Sequence, residues 1–261
     1  MLATRSLLFN ALFYLNLVVL MIVGLPTILF GRRTIFALAR LWGAISVWLL
    51  ETICGLKLEY RGVENIPPGA VLIAVKHQSF LETFALLKYA PDFAIILKRQ
   101  LTYVPLFGLY LIVSQQIAID RGRGRQALQQ IAGAAKPVFA AGRQVFIYPE
   151  GTRRLPGAPP MYKHGVAALY SAGKVPCLPV AVNTGLFWRR RGFLRRAGVA
   201  VIEYLPVIEP GLDRVAFSKR LQSAIETACD RLNAEAVAKD PSLAAVVAEG
   251  ANNDAETLRS A

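Results

Sequence analysis

The sequence predicts an α/β fold: a mostly parallel or mixed central sheet flanked by helices, preceded by an apolar helical segment that associates with a membrane. Three observations carry this. After Gly55, short β-branched apolar runs alternate with helix-length segments. From Leu7 to Phe30 there is no charged residue. The 261 residues are 54% hydrophobic and 18% charged, too apolar for a disordered chain and too short for several domains.

The stretch Leu7 to Phe30 is long enough, at about 1.5 Å per residue, to cross a hydrocarbon core of roughly 30 Å. It is longer than a signal-peptide core and no small-x-small cleavage site follows it. A soluble core helix would keep a polar face, which this stretch lacks. A second apolar stretch, Ile35 to Leu50, is interrupted by Arg40 and carries Trp42 and Trp48, as a short span, a re-entrant segment or an interfacial helix would. Gly24 and Pro26 permit a bend, so a crossing and a shallow hairpin both remain open. Only Arg5 precedes the first stretch, whereas Arg32, Arg33 and Arg40 follow it. The positive-inside bias therefore places the rest of the chain on the cytoplasmic side of the inner membrane.

The expected organisation is residues 1–54 as membrane-associating helices, 55–236 as the α/β domain, and 237–261 as a flexible tail. Within the domain, 71–75, 93–97, 116–119, 145–148, 178–182 and 199–204 read as strands. Helices are expected over 79–89, 125–141, 162–172 and about 217–236. The tail from Asp240 onward lacks a clear apolar face. The formal net charge of +13 favours anionic partners without choosing among them. Cys54, Cys177 and Cys229 are far apart and the chain has only two histidines, so neither a disulfide framework nor a structural metal site is expected. No P-loop or dinucleotide fingerprint appears, and no cofactor is expected.

Ligands of α/β sheets gather beyond the carboxyl ends of the strands. The strand over 71–75 runs directly into Lys76-His77-Gln78-Ser79-Phe80-Leu81-Glu82. With His77 on the turn and Glu82 in the first helical turn, the carboxylate can fix one ring nitrogen and leave the other as a general base. Ser79-x-x-Glu82 is equally a capping box, and the two readings are compatible. A second strand ends in Tyr148-Pro149-Glu150-Gly151-Thr152-Arg153. There Pro149 stops the ladder, Gly151 permits a tight turn, Arg153 suits a phosphate, and Glu150 suits a hydroxyl or the arginine itself. A third ends in Ile119-Asp120-Arg121, delivering another guanidinium. Further basic features are Lys98-Arg99, Lys163 and His164 beyond the Pro-rich loop 155–160, and the arginine-aromatic run 187–196. That run suits anionic lipid or an acidic carrier protein.

In order, His77-x4-Glu82, the block ending at Arg121, Tyr148 to Arg153, and Leu178-Pro179-Val180-Ala181-Val182-Asn183 resemble the four motif blocks of the glycerolipid acyltransferase family. The nearest branch is the one that converts 1-acyl-sn-glycerol-3-phosphate to phosphatidate. The resemblance covers roughly residues 60–210. It implies direct transfer from an acyl thioester, acyl-CoA or acyl carrier protein, to a lysophospholipid at the membrane, with no metal, cofactor or nucleic acid involved. By matching position, His77 would be the base, Glu82 its orienting acid, Arg121 and Arg153 the phosphate ligands, and Glu150 the residue positioning the glycerol, within the Glu150-Gly151-Thr152-Arg153 block. The family pattern usually has Asp where Glu82 stands and Asn where Lys76 stands. Lys76 would then disfavour a protonated His77. The oxyanion donor is left open, with a backbone amide at the helix start after His77 as one candidate. The alternatives are another lysolipid acceptor, such as a lyso-ornithine lipid, and a non-catalytic basic membrane or nucleic-acid binder, which leaves His77 and Glu82 without a role. A serine hydrolase lacks its Gly-x-Ser-x-Gly elbow here.

Overall fold

In the computed structural model, which describes residues 1–120 and 124–259, the apolar runs assemble into a seven-stranded sheet. Its strands are β1 (Leu56–Arg61), β2 (Val71–Val75), β3 (Phe93–Lys98), β4 (Ile117–Ile119), β5 (Gln144–Ile147), β6 (Cys177–Val182) and β7 (Gly198–Tyr204). They lie in the order β1-β7-β6-β2-β5-β3-β4. Every neighbouring pair is parallel except β6 and β7, so the sheet is mixed. Strand β1 is the element the sequence reading passed over. Leu56-Lys57-Leu58-Glu59-Tyr60-Arg61 alternates apolar and charged residues because it is an edge strand.

Helices cover both faces. One face packs α1 (Leu2–Val23), α2 (Arg32–Leu49) and α3 (Leu81–Ala85); the other packs α5 (Gly124–Ala140), α6 (Gly165–Gly173) and α7 (Arg214–Lys239). A short α4 (Phe107–Val113) lies between β3 and β4. The period-2 rule sets which side chain meets which layer: Val71, Ile73 and Val75 of β2 join the first core, Leu72 and Ala74 the second.

The two N-terminal helices are long and apolar enough to cross a membrane, yet both are laid against the domain. Arg32 at the start of α2 pairs with Asp92 at 3.1 Å. At Gly43 a Cβ would stand 2.9 Å from the Phe84 carbonyl oxygen, so only glycine permits this approach of α2 to α3. Helix α1 buries Ser6, Phe9 and Phe13, the two rings packing edge-on or tilted among Trp42, Phe80, Phe84 and Trp188. Burying each such ring contributes about 1.5–3 kcal/mol. Near its other end, the Met21 carbonyl accepts a 2.7 Å hydrogen bond from Tyr110 Oη. Leu8, Leu15, Val19 and Val23 of α1 are exposed.

The segment expected as a flexible tail differs. After a 3-10 turn at Pro241–Leu243 the chain forms α8 (Ala244–Arg259), with Leu243 and Val246 buried. The few apolar side chains at 243 and 246 are enough to dock it, and a Cβ at Gly250 would stand 2.0 Å from the Pro156 carbonyl oxygen.

Candidate active site

Three adjacent strands, β6, β2 and β5, deliver their carboxyl ends to one place. Continuing the alternation of β2, His77 leaves on the α1–α3 face and Lys76 on the α7 face. From the first turn of α3, Glu82 reaches back. Its Oε1 lies 3.0 Å from His77 Nδ1 and accepts from the amides of Gln78 and Ser79 at 2.7 Å each. Its Oε2 accepts from Thr184 Oγ1 at 2.7 Å, just beyond β6. One oxygen thus caps the chain before α3 and also contacts the histidine. The Ser79 hydroxyl accepts from the Leu81 amide, at 3.1 Å.

Glu82 is 0% exposed, and three donors, the amides of Gln78 and Ser79 and the hydroxyl of Thr184, converge on its carboxyl group, so the buried oxygens are all partnered. In the tautomer that donates from Nδ1 to Glu82, Nε2 is the ring nitrogen left for other partners. The imidazole is 15% exposed and stacks on Tyr148, with ring centroids 3.9 Å apart and planes inclined by 23°. Burial, and then the charge of Glu82, push the Tyr148 phenol far above its usual value, so it stays neutral. The amides of Gln78 and Ser79 are taken by Glu82.

The turn after β5 is fastened to the histidine. Gly151 adopts φ +68°, in the left-handed region, and its amide donates to the Tyr148 carbonyl at 2.9 Å. The Arg154 amide donates to the His77 carbonyl at 2.8 Å. Thr152 is exposed and Arg153 half-buried, and the Lys163 side chain lies beside Gly151.

Glu150 is buried in the turn, on the Lys76 side. Its Oε1 faces Lys76 Nζ at 3.2 Å and accepts from the Met161 amide at 3.3 Å. Lys76 is 3% exposed and also lies 2.8 and 2.9 Å from the two Glu226 oxygens, while Tyr162 Oη donates to Glu226 at 2.8 Å. Burial holds the Glu150 carboxyl above its ordinary range, with Lys76 opposing. Oε1 of Glu150 thus braces the turn, and the charge of Lys76 is met by two carboxylates on the face opposite His77. The cause is the strand alternation itself, which sends neighbours 76 and 77 to opposite sides.

Arg121 lies outside the described residues; Asp120 follows β4, which β3 separates from β5. Lys98, Arg99 and His164 are exposed. Sequence reasoning missed Thr184, Tyr148 as a stacking partner, and Glu226. Thr184 was legible in one respect: it continues the even-numbered face of β6, where Leu178, Val180 and Val182 point to the His77 side.

Residues 57–183 match a family model described as Acyltransferase. Over 183 residues the chain is 36% identical to the 1-acyl-sn-glycerol-3-phosphate acyltransferase of Pseudomonas aeruginosa, an alignment spanning 70% of this chain and 71% of that protein. The protein of the same name from Limnanthes alba is 28% identical over 66% of this chain and 61% of its own length. The crystal structure of the 1-acyl-sn-glycerophosphate acyltransferase PlsC from Thermotoga maritima superposes with a TM-score of 0.73 at 20% identity. It covers 89% of this chain and 98% of that one, a likeness of fold.

Proposed function

The chain belongs to the acyltransferase family as an O-acyltransferase, and from that premise we propose that it acylates 1-acyl-sn-glycerol-3-phosphate to phosphatidate, with acyl-CoA or acyl carrier protein as donor. The observation that carries the reading is the His77–Glu82 pair, with Nε2 open, held against the turn that bears Arg153. Nε2 takes the proton of the acceptor hydroxyl as its oxygen attacks the thioester carbonyl. The tetrahedral intermediate collapses, the new ester forms, the carbon–sulfur bond breaks, and the proton passes from the imidazolium to the leaving thiolate. Glu82 holds the ring and stabilises the transient imidazolium, a pairing worth about 10²- to 10⁴-fold in rate for a well-placed base. Arg153 binds the acceptor phosphate through its planar fork.

The helical hairpin brings this site to the lipid. Because α1 is fastened to the domain through Phe9 and Phe13 and again through Met21, and α2 through Arg32 and Gly43, they lie in the plane of the cytoplasmic leaflet of the inner membrane instead of crossing it. Exposed Leu15, Val19 and Val23 of α1, with Leu109 and Ile112 of α4, form the apolar contact. The deciding assay offers detergent-purified protein labelled acyl-CoA or acyl carrier protein, with lysophosphatidate and a lyso-ornithine lipid in separate reactions. Phosphatidate formed by wild type and not by His77→Ala supports the reading. Acylation of the ornithine lipid alone moves the acceptor, and no transfer to either overturns it.

A further inference from the structure

The segment from Thr184 to Arg196 lies outside three of the motif blocks and begins where the fourth ends, yet it reaches the site. Both of its legs are fixed. Phe187 and Trp188 are buried, the Arg195 guanidinium stacks over the Trp188 ring at 3.9 Å, and the Arg196 amide donates to the Phe187 carbonyl at 3.0 Å. Arg195 Nη2 donates to Asn10 of α1 at 2.7 Å, and Arg189 pairs with Glu249 of α8 at 2.6 Å. Between the legs the chain turns tightly, the Gly192 amide meeting the Arg189 carbonyl at 3.0 Å. On one side of the turn Phe193 and Leu194 are exposed next to α1. On the other side Arg190 Nη1 donates to the backbone carbonyl of Arg153 at 3.0 Å.

A rigid loop thus holds a second guanidinium against the residue that carries the first. A guanidinium has five N–H donors, and the contact with the Arg153 carbonyl is made through one nitrogen, Nη1. We propose that Arg190 is a phosphate-binding residue, forming with Arg153 a two-arginine clamp for a phosphate group of a substrate at the membrane surface. This rests on the acyl-transfer reading above. The electrostatics agree with it: desolvation, and then the charges of Arg191, Arg153 and Arg154, pull Arg190 below the ordinary guanidinium range. An anion placed among these like charges relieves their repulsion. The phosphate has two sources, the glycerol phosphate of the acceptor or the phosphates of a CoA donor.

The test uses the full chain in detergent, with Arg190→Ala, Arg190→Lys and, as control, Lys219→Ala on the exposed side of α7. Acceptor and donor KM are measured separately, and binding of sn-glycerol 3-phosphate and of adenosine 3′,5′-bisphosphate is measured by calorimetry. Arg190→Ala is expected to raise one KM about tenfold, the low end for losing a hydrogen bond to a charged group, with kcat within about twofold. The matching fragment should lose affinity by the same factor, and Arg190→Lys should recover part of it. A rise for lysophosphatidate and glycerol 3-phosphate assigns the clamp to the acceptor; a rise for acyl-CoA and the bisphosphate assigns it to the donor. Unchanged KM values and unchanged fragment binding overturn the proposal, as does an equal effect of Lys219→Ala. If wild type transfers no acyl group to lysophosphatidate but binds glycerol 3-phosphate through Arg190, the functional reading fails and the clamp stands.

Discussion

Thr184 Oγ1 lies 2.7 Å from Oε2 of Glu82, a contact between residues 102 positions apart that ties the end of β6 to the start of α3. It gives the buried carboxylate its one side-chain hydroxyl donor and fixes the plane in which Oε1 faces His77. Thr184→Val keeps the shape and removes the donor. Losing a hydrogen bond to a charged group costs about 1.5–3 kcal/mol, so kcat should fall roughly 10- to 100-fold while the acceptor KM holds. Thr184→Ser should restore most of the rate. An unchanged kcat in the valine variant removes Thr184 from the positioning of Glu82.

His77 and Glu82 should act as one unit. Glu82→Gln replaces an acceptor-only carboxylate with an amide that must present its NH₂ either to the amides of Gln78 and Ser79 or to Thr184. The expected loss in kcat is about 10²-fold, the lower end for a general base losing its orientation. His77→Ala should abolish transfer, and adding Glu82→Gln to it should cost nothing further. Steady-state rates of the two single variants and the double variant check this. A further tenfold loss in the double would show Glu82 acting independently of the imidazole.

The site was legible wherever chemistry follows strand ends. A polar residue directly after an apolar strand must emerge at the sheet edge, and His77 and the Tyr148–Arg153 turn do so from neighbouring strands β2 and β5. Two kinds of information were not legible. Which way a side chain turns after leaving its strand depends on what the far face offers, so Glu150 could not be seen to meet Lys76 and Glu226, 74 and 76 positions away from it, respectively. The edge strand β1 was hidden because its charged alternate residues, Lys57, Glu59 and Arg61, resemble a loop unless the period of 2 is counted. Helix α8 was hidden because docking rests on Leu243 and Val246, too few apolar residues to form a recognisable stripe.

The buried cluster around Lys76 should make stability depend on pH in one direction. Lys76→Met leaves Glu150 and Glu226 facing each other without the ammonium between them. Breaking a buried pair in this way destabilises by about 3–5 kcal/mol when the remaining charge stays ionised. Glu150 is already held above its unfolded value by burial, so its contribution is fully present below pH 4.5 and is lost as pH rises through its folded value. Removing Lys76 raises it further. The gap in Tm between wild type and variant should therefore widen from pH 5 to pH 8, as followed by thermal unfolding in detergent. Because Lys76 faces away from the imidazole, the pH dependence of kcat in the surviving fraction should stay that of wild type. A constant Tm gap would contradict the arrangement of the cluster, and a displaced rate profile would return Lys76 to the tuning of His77.

The placement of the hairpin yields a test with two separable readouts. Leu15 and Val19 are 57% and 45% exposed on α1, so Leu15→Asp with Val19→Asp should leave the fold intact while placing two charges on the face proposed to contact lipid. Losing the burial of two such side chains removes about 3–6 kcal/mol of membrane affinity, so cosedimentation with anionic vesicles should collapse while turnover of detergent-dispersed substrate persists. Orientation is read separately. Cys54, Cys177 and Cys229 are all buried, so cysteines introduced at exposed Ala3 and Arg33 report alone to an impermeant thiol reagent. A helix lying in one leaflet leaves both positions on the same side, and both should be labelled in inside-out vesicles. A crossing α1 would put them on opposite sides. It would also require Ser6, Phe9 and Phe13 to leave the aromatic cluster around Trp188, and Met21 to lose Tyr110, so the labelling result and a loss of those contacts must appear together or not at all.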